Sequence, residues 1–522
     1  MSDFRTMDEL LRHMLGRARS QANHQALVES RAATTYGELA QRIVAVEAQL
    51  RRQGLVAGDP VLFAVRPGSA AITLLSGLIL AGAIVVGVEP GVDPRILTQR
   101  LRLLPPRWVV AESLVYAAAK AGPLRWLLAR RGIEFPPLHA LGARLVRVGR
   151  RWPGVPPSIS FAEMLAAPRV NADPPVPLAA ERPILVLFTS GTTAAPKAAQ
   201  HTARSLGACC SIVSDLLALT RNDVIYSTQS HMLLAGLLAG ATCIVPGVRP
   251  DPRRFLRDLD RYRVTRSYAV PFDIAAVVPL LEDRRARLPE HLKTLVLGGA
   301  TISRALLERL RAVCHGATDV WCAYGMSEMF PVALIESREK LAFAGHGDLV
   351  GAPVVGTTVT IAADDELRVR GSNLFAGYLG EPLSDWHATG DLARLDSERR
   401  IVLLGRMKDM IIRGRHKIYP SLYEAHIASI PGVERCALVG LPTADPAQER
   451  VALAIEPSAG EDAERVRSRV AKALGDGTCP IDVFARPDVI VACLIPHGGR
   501  TFKPDRRLLA QTILERLHDR EP

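Results

Sequence analysis

The chain has 522 residues, of which 48% are hydrophobic, and a formal net charge of +12 at pH 7. A hydrophobic core stops growing beyond about 250–300 residues, so this length predicts two or more folding units. The eight cysteines form no C-x-x-C pair and have no metal-ligand spacing with the thirteen histidines. This composition argues against a disulfide framework or a zinc module and predicts a cytoplasmic location. The N-terminus has acidic residues in its first ten positions and no apolar segment, unlike a secretion signal.

Helix-like and strand-like segments alternate from residue 35. TYGELAQRIVAVEAQLRRQGL is typical of an amphipathic helix that ends at a glycine, and DPVLFAV is typical of a strand. Two apolar stretches, 70–88 and 231–248, approach the length of about 20 residues that spans a bilayer. In each, a leucine- and alanine-rich half is followed by a glycine and a β-branched half. We therefore predict a buried helix that leads into a buried strand, not a membrane span.

The positive charge is concentrated in one segment. Residues 93–152 contain twelve lysines and arginines against three acids, with three interleaved tryptophans. This segment is a candidate for peripheral contact with an anionic membrane or for docking of an acidic carrier protein. The alternative is a solvated, arginine-rich surface. Nucleic acid is not predicted as a partner, because no recognition motif accompanies the charge.

The remaining chain divides into three stretches. Seven prolines within 150–182 predict a connector, and the alternation resumes over 183–335, where LKTLVLGGATISRALLERLRAV predicts a strand, a glycine turn and a helix. Short strands and turns follow up to residue 406, and a small α+β unit follows these. The predicted fold class is α/β, with a large N-terminal α/β domain of layered sheets and helices and a small C-terminal α+β domain.

The stretch LFTSGTTAAPKAAQHT, residues 187–202, runs from an apolar strand into hydroxyl groups, a glycine and one lysine. Hydroxyls and free backbone N–H groups at a strand end form a nest for phosphate oxygens, and a lysine adds a point charge. A P-loop needs a second glycine before its lysine, which Ala195 and Pro196 do not supply before Lys197. Considered alone, such a loop is more often a surface turn.

Further motifs give this loop a context. TSGTTAAPK resembles the [ST]-S-G-[ST]-T-G-x-P-K signature of the adenylate-forming superfamily, which includes acyl-CoA synthetases, peptide-synthetase adenylation domains and luciferases. AYGMSE (323–328), TGD (389–391), GRMKDMIIRGRHKIYP (405–420) and the late lysine of LIPHGGRTFKPDRRLL follow in the family's order. The stretches NLFAGYLG and KIYPSLYEAHIASIPGV look most like acyl-CoA synthetases. The resemblance implies an N-terminal AMP-binding domain, 1–407, and a mobile C-terminal domain, 408–522.

The resemblance also implies ATP and Mg²⁺ as cofactors and assigns roles to individual residues. Tyr324 would stack on adenine, Asp391 would bind the ribose hydroxyls with help from Arg406, and Glu328 would be the Mg²⁺ ligand; an exposed helix cap is the alternative for Glu328. The implied nucleotide-binding residues also include Thr189, Ser190, Gly191, Thr192, Thr193, Lys197, Gly298, Gly299 and Ala300. An ordinary strand-to-helix turn is the alternative for the last three.

Lys503, Glu328 and Thr193 are the expected catalytic residues. The Lys503 ammonium would offset the charge that develops when a carboxylate attacks the α-phosphate, unless it is only a surface lysine. By resemblance, Lys408 is the hinge on which the small domain rotates and Gly414 lines a thiol channel. His231 matches a residue that gates the acyl pocket in relatives, and a buried structural histidine is the alternative.

Three residues depart from the family pattern: Ala194, Arg415 and Phe502. Each could narrow the site or slow the domain rotation, but none removes a charge that adenylation requires. We expect an acid–thiol ligase that converts a carboxylic acid and ATP into acyl-AMP and then acyl-CoA, with an apolar acid such as a fatty acid as substrate. One alternative is a β-lactone synthetase that adenylates a β-hydroxy acid without CoA. Another is a weakly active adenylating protein that loads an acyl carrier protein.

Overall fold

The computed structural model describes residues 5–29, 32–88, 94–118, 138–167, 177–189, 197–247, 251–381, 384–413, 416–443, 449–498 and 503–518. Its helices are α1 (Met7–Arg17), α2 (Tyr36–Arg52), α3 (Ser69–Leu80), α4 (Pro94–Leu103), α5 (Ser113–Ala118), α6 (Phe161–Ala166), α7 (Ala203–Leu216), α8 (Ser230–Ala239), α9 (Pro252–Arg261), α10 (Pro271–Glu282), α11 (Arg304–Val313), α12 (Ser337–Ala342), α13 (Pro420–Ile427), α14 (Ala463–Gly475) and α15 (Arg506–His518). Short 3₁₀ helices span Leu138–Leu141, Met407–Asp409 and Val483–Ala485.

The strands of the N-terminal half are β1 (Gln25–Glu29), β2 (Ala32–Thr35), β3 (Pro60–Ala64), β4 (Ile84–Gly87), β5 (Trp108–Glu112), β6 (Arg144–Val148), β7 (Ile159–Ser160), β8 (Pro183–Thr189), β9 (Lys197–Thr202), β10 (Val224–Tyr226), β11 (Thr242–Ile244), β12 (Arg266–Ala269), β13 (Thr294–Gly298) and β14 (Asp319–Tyr324). The later strands are β15 (Ala333–Glu336), β16 (Asp348–Pro353), β17 (Thr357–Ile361), β18 (Glu366–Gly371), β19 (Gly377–Tyr378), β20 (His387–Leu395), β21 (Ile401–Arg406), β22 (Ile411–Arg413), β23 (His416–Ile418), β24 (Val433–Pro442), β25 (Glu449–Pro457), β26 (Val489–Ala492), β27 (His497–Gly498) and β28 (Lys503–Pro504).

Two large sheets form the N-terminal part of the described chain. The larger one has the strand order β17-β18-β20-β21-β16-β15-β14-β13-β12-β10-β11-β1-β2, and the smaller one β19-β9-β8-β4-β3-β5-β6-β7. Strands β11, β10, β12, β13 and β14 are parallel, and helices connect them in the chain, as is typical of α/β folds. A cluster of buried side chains from α1, α2, α3, α7 and α8 also includes residues of both sheets, so the sheets share one core.

Both apolar stretches form the predicted helix–strand pairs. Residues 70–88 contain α3 followed by β4, and residues 231–248 contain α8 followed by β11. Among the described residues, no helix combines the length and apolar character needed to cross a membrane. The prediction of buried helix-to-strand units is confirmed.

The proline-rich stretch 150–182 is more structured than a connector. Strand β7 and helix α6 lie within it, and the Met164 side chain of α6 is 3% exposed in a core that it shares with Trp108 and Val146. Ser160 is the N-cap residue of α6. The prediction of a connector is therefore wrong for 159–166, because one apolar helical turn was enough to pack against the smaller sheet.

The elements after residue 410 form cores of their own. One cluster is built from residues 411–485 and a second from residues 437–513. Strands β24, β25 and β26 form a three-stranded sheet, and α13, α14 and α15 flank it in the chain. The predicted domain boundary at 407 falls in the 3₁₀ helix Met407–Asp409 and stays a prediction. The α/β fold class with a small C-terminal α+β part is confirmed.

Arg506, at the start of α15, connects distant parts of the C-terminal half. Its Nη1 and Nη2 atoms donate to the two carboxylate oxygens of Glu424 on α13, at 2.6 and 2.8 Å. Nη1 also donates to the Leu438 carbonyl at 2.7 Å, and Nε lies 3.4 Å from the Asp409 carboxylate. Because Arg506 follows Lys503 by three residues, these bonds link the Lys503 segment to the 3₁₀ helix that contains Lys408.

Replacement of Arg506 by methionine should loosen the C-terminal half. The change leaves the partly buried Glu424 carboxylate without its cation, which costs about 3 kcal/mol or more. Hydrogen exchange of the backbone amides in 416–443 should accelerate at least about tenfold in Arg506→Met. Arg507→Met, at the exposed next position, is the matched control and should exchange like the wild type. Equal exchange in both variants would contradict this account of Arg506.

Candidate active site

Four parallel strands of the larger sheet end at one edge. These strands, β10, β12, β13 and β14, end at Tyr226, Ala269, Gly298 and Tyr324. In open α/β sheets, ligands bind at the edge formed by the carboxyl ends of the strands. The register supports this alignment, since Gly298 pairs with Ala323 next to the end of β14. The predicted Gly298–Ala300 turn and Tyr324 therefore lie at the same edge.

The Gly298–Gly299 turn needs both glycines for different reasons. A Cβ atom on Gly298 would collide with the Tyr268 hydroxyl group, so a side chain does not fit there. Gly299 has φ of +83°, in the left-handed region that favours glycine. The turn thus leaves bare backbone at the carboxyl edge, where a ligand can approach closely.

Asp391 joins the predicted adenine and ribose residues. The Tyr324 hydroxyl donates to Asp391 Oδ2 at 2.6 Å, and Arg406 Nε lies 2.6 Å from Oδ1. Burial, followed by the Asp391 charge, raises the pKa of Tyr324 well above its usual range, so this phenol keeps its proton and donates. Asp391 is 3% exposed. Its carboxylate is held from two sides, and each oxygen keeps acceptor capacity for a further donor.

Glu328, the predicted Mg²⁺ ligand, is held by side-chain and backbone bonds. Its Oε1 atom accepts a hydrogen bond from the Tyr378 hydroxyl at 2.6 Å, and its carbonyl oxygen accepts from the Phe375 N–H at 2.8 Å. Burial, followed by this bond to the Glu328 carboxylate, raises the pKa of Tyr378. Glu328 is 9% exposed, so the alternative of an exposed helix cap does not describe it.

Lys197 lies next to the same tyrosine. Its Nζ atom is 4.5 Å from the centre of the Tyr378 ring and 3.1 Å from Glu381 Oε1. Strand β9, which begins at Lys197, pairs with β19, so Tyr378 is opposite Ala199. The lysine of the predicted phosphate loop and the predicted metal ligand are therefore joined through one aromatic side chain.

His201 supports the loop that contains Glu328. Its Nε2 atom is 2.7 Å from the Ser327 carbonyl oxygen, and its Nδ1 atom is 3.3 Å from Ser205 Oγ. Since a carbonyl only accepts, Nε2 carries the proton and Nδ1 accepts from the serine. Burial lowers the pKa of His201, which favours this neutral form.

A small apolar cavity adjoins the carboxyl edge. Its volume is about 20 Å³, enough for about one water molecule. Its lining residues are Val213, Leu216, Leu217, Met232, Tyr268, Val296, Ala323, Phe330, Pro331 and Leu334. His231 packs against two of these rings, with centroid distances of 5.3 Å to Tyr268 and 4.5 Å to Phe330. Burial lowers the pKa of His231 to about 4, so it is neutral at pH 7.

Several predicted residues cannot be placed. The residues that lie outside the described ranges are Ser190, Gly191, Thr192, Thr193, Ala194, Gly414, Arg415 and Phe502, and the same holds for the side chains of Thr189 and Lys503. The Lys503 backbone lies in β28, paired with Gly498. Lys408 is exposed in the 3₁₀ helix Met407–Asp409. The assigned roles of all predicted site residues stay predictions.

Two contacts of the site were not predicted from the sequence. The stretch NLFAGYLG resembles acyl-CoA synthetases, but the resemblance assigns no role to Tyr378. It assigns none to His201 either, which follows the predicted phosphate loop. A histidine or tyrosine inside a motif is the signal that could have nominated them. Their partners could not be inferred, because they lie 50 and 126 residues away in the chain.

The described residues fit a magnesium ion that is held mainly by waters and by the phosphates of a bound nucleotide. They contain no cluster of three or more histidine, cysteine or acidic side chains able to enclose a metal. Mg²⁺ typically keeps several waters and uses one or two carboxylates plus substrate phosphates. The buried Glu328 carboxylate offers that kind of single ligand. Tyr378 connects it to Lys197, the first residue of β9.

Comparison with known proteins agrees with this architecture. The family model described as AMP-binding enzyme matches residues 16–379. Feruloyl-CoA synthase of an Amycolatopsis species is 30% identical over 82% of this chain and 84% of its own length. Olefin β-lactone synthetase of Stenotrophomonas maltophilia is 26% identical over 78% of this chain and 79% of its own length.

Solved structures show the same fold. The o-succinylbenzoate coenzyme A synthetase of Bacillus subtilis, in complex with ATP and magnesium ion, superposes with a TM-score of 0.76 at 18% identity, over 95% of this chain and 98% of that one. The family match over most of the chain, together with the 30% identical relative, shows that the protein belongs to the AMP-binding enzyme family of adenylate-forming acyl-CoA synthetases.

Proposed function

We propose that this enzyme activates a monocarboxylic acid with an uncharged, mainly apolar body and transfers the acyl group to the thiol of CoA. In the first step, a carboxylate oxygen attacks the α-phosphorus of ATP, the bond to the β-phosphate oxygen breaks, and pyrophosphate leaves. In the second step, the thiol sulfur attacks the acyl carbon, AMP leaves, and the thiol proton is released. The observation that carries the proposal is that the polar Glu328–Tyr378–Lys197 network and the apolar cavity meet on one loop.

That loop, 325–331, separates two environments. Glu328 accepts the hydrogen bond from Tyr378 on the polar side, and Phe330, two residues later, lines the apolar cavity. A nucleotide bound by Tyr324 and Asp391 would lie beside Glu328 on the polar side of the loop. The body of the acid would lie beside Phe330 on the apolar side. This arrangement supports in-line contact between the carboxylate and the α-phosphate.

The nucleotide site has to handle several negative charges at once. Mg²⁺ on Glu328 would supply neutralising charge on the phosphates. Lys197 would contact the phosphates, and the Gly298–Gly299 backbone would let the nucleotide approach. Arg406 and Tyr324 hold the Asp391 carboxylate at 2.6 Å each, in the orientation that would receive the ribose hydroxyls. These fixed donors and acceptors need no rearrangement during the reaction.

The lining of the cavity supports an uncharged acid body. Its ten lining residues include no charged side chain, and His231 beside it is neutral because burial lowers its pKa to about 4. A second carboxylate or an ammonium group would therefore be buried without a counter-charge, at a cost of several kcal/mol. Since the cavity holds only about one water molecule, an acid that enters must displace lining side chains.

The resemblance to acyl-CoA synthetases supports the choice of acceptor and a domain rotation. We propose CoA as acceptor, with Gly414 in the thiol channel and Lys408 as the hinge between a domain ending at 407 and one beginning at 408. Lys503 would act only in the adenylating arrangement. The bonds from Arg506 to Asp409 and Glu424 support movement of Lys503 together with the residues just after the hinge.

A β-lactone synthetase is the second candidate. Two olefin β-lactone synthetases, 26% and 27% identical over 78% of this chain, favour it. In that reaction, the β-hydroxyl of the acid would replace the external thiol. The adenylating site is the same for both candidates, so only the acceptor distinguishes them.

A panel of acids tested with and without CoA separates these candidates. The panel contains straight-chain acids, aryl-substituted propenoic acids, dicarboxylic acids and β-hydroxy acids. We expect pyrophosphate release and CoA thioester for apolar monocarboxylic acids, and at least about 100-fold lower kcat/KM for dicarboxylic acids, from the cost of burying a charge. Turnover that is restricted to β-hydroxy acids and does not need CoA would favour the lactone reaction. If none of the acids in the panel is turned over, both candidates are contradicted.

Lys503→Ala should slow adenylation by about 10²–10³-fold, because it removes a charge that is needed as the phosphate bond breaks. Nucleotide affinity, measured by calorimetry with ATP, should change much less. The thioester step, started from chemically prepared acyl-AMP, should keep most of its rate. Lys472→Ala, on the exposed side of α14, is the control. An unchanged rate of adenylation in Lys503→Ala would show that the role is misassigned.

Tyr378→Phe should raise the Mg²⁺ concentration that adenylation requires. The change removes the 2.6 Å hydrogen bond to Glu328 but keeps the ring beneath Lys197, and loss of a bond that orients a metal ligand typically costs 10–100-fold in metal affinity or activity. We expect the Mg²⁺ concentration for half-maximal adenylation to rise by about tenfold, with partial rescue at high Mg²⁺. Tyr262→Phe, remote from the site, should behave like the wild type. The same Mg²⁺ dependence in both variants would exclude a positioning role for Tyr378.

A further inference from the structure

Two polar atoms stand out beside the apolar cavity. His231 Nε2 is buried and has no hydrogen-bond partner among the described residues. The neighbouring Tyr268 hydroxyl belongs to a side chain that is 6% exposed and lines the cavity. Buried polar groups in proteins nearly always have a partner, so the unpartnered His231 nitrogen calls for an explanation.

The two side chains form one unit. Their ring centroids are 5.3 Å apart and the rings are nearly perpendicular, at 89°. The Phe330 ring packs against both, at 4.5 Å from His231 and 6.2 Å from Tyr268. The pair thus adjoins the cavity wall that, under the proposed function, contacts the body of the acid.

The chemistry of the pair selects the kind of group that would satisfy it. A neutral imidazole nitrogen donates or accepts one hydrogen bond according to its tautomer, and a phenol can do both. A hydroxyl group can donate to one of the two atoms and accept from the other, whichever tautomer the histidine adopts. A carboxylate only accepts and an ammonium only donates, and each would also need a counter-charge that the lining does not provide.

We propose that the acid carries one hydroxyl group on its otherwise apolar body, and that His231 Nε2 and the Tyr268 hydroxyl bind this group. This inference rests on the proposed function and narrows its substrate class to neutral hydroxy acids. A site built to hydrogen-bond a substrate hydroxyl discriminates strongly against the analogue that lacks it, because its buried polar atoms are then left without partners.

The position of Tyr268 adds a geometric detail. Its hydroxyl lies directly over Gly298, where any Cβ atom would collide with it. Gly298 ends β13 at the carboxyl edge, where the nucleotide is expected. The hydroxyl-binding pair therefore adjoins the junction between the nucleotide and the acid, and its bond to the acid would also fix how far the acid enters.

The test uses pairs of acids that share a carbon skeleton. The pairs are phenylpropenoic acid with its para-hydroxy derivative, and octanoic acid with its β-hydroxy and terminal-hydroxy derivatives. Pyrophosphate release in the presence of CoA gives kcat/KM for each. We expect at least one hydroxylated acid to exceed its parent by about tenfold or more in the wild type. Tyr268→Phe, which keeps the ring, and His231→Phe, which replaces the imidazole by an apolar ring, should each reduce this ratio to about twofold or less.

The controls distinguish failure of the hydroxyl-binding site from failure of the proposed ligase function. The ratio is measured within each variant, so a general loss of activity cancels, and calorimetric binding of ATP shows that each variant is folded. Tyr262→Phe should keep the wild-type ratio. If the wild type turns over hydroxylated and parent acids equally, or if both ring variants keep the preference, the hydroxyl site is overturned while the ligase proposal stands. If no acid yields pyrophosphate, the proposed function itself fails.

Discussion

The hydrogen bond between Tyr378 and Glu328 is the contact on which the geometry of the site depends. Glu328 follows β14 of the larger sheet, whereas Tyr378 lies in β19 at the edge of the smaller sheet. Backbone bonds reinforce the connection: Phe375 donates to the Glu328 carbonyl at 2.8 Å, and Ala376 donates to the Gln200 carbonyl at 2.7 Å. The segment 375–378 therefore spans both sheets, and their relative position determines where one carboxylate lies with respect to the phosphate-loop lysine.

The architecture could be predicted from the sequence because its signals are local. The capping box of Thr35 and Glu38 begins α2, and the apolar period and the glycine that follows define its length. The same local rules separate α3 from β4 within 70–88. The motif residues Tyr324 and Asp391 were nominated by resemblance alone, and the structure brings them into hydrogen-bond contact across 67 residues of chain. Helix α6 was not predicted, because a single apolar turn flanked by prolines is too short to show a helical periodicity of hydrophobic residues.

The supporting contacts could not be predicted, because they depend on the order of strands. Tyr378 reaches Glu328 only because β19 pairs with β9 of the other sheet, and no local pattern specifies that pairing. His201 on β9 of the smaller sheet likewise reaches the Ser327 carbonyl, which follows β14 of the larger sheet, through a contact that no local pattern specifies. No sequence pattern singles out Tyr268, and its hydroxyl becomes informative only when the lining of the cavity is known. The motifs nominated the groups predicted to contact the nucleotide, while tertiary structure determined which side chains support them.

Under the proposed function, the loop 325–331 would contact both the nucleotide and the acid. Reciprocal backbone hydrogen bonds between Met326 and Met329 close it into a tight turn, and His201 donates to its Ser327 carbonyl. This turn directs Glu328 towards Tyr378 while Phe330 lines the cavity. Because the cavity is nearly filled, entry of an acid has to move side chains such as Phe330, which lies two residues from the carboxylate. Hydrogen bonds hold the loop on its polar side, so rotation of the Phe330 ring would accommodate an acid under the proposed function while Glu328, the proposed metal ligand, keeps its position.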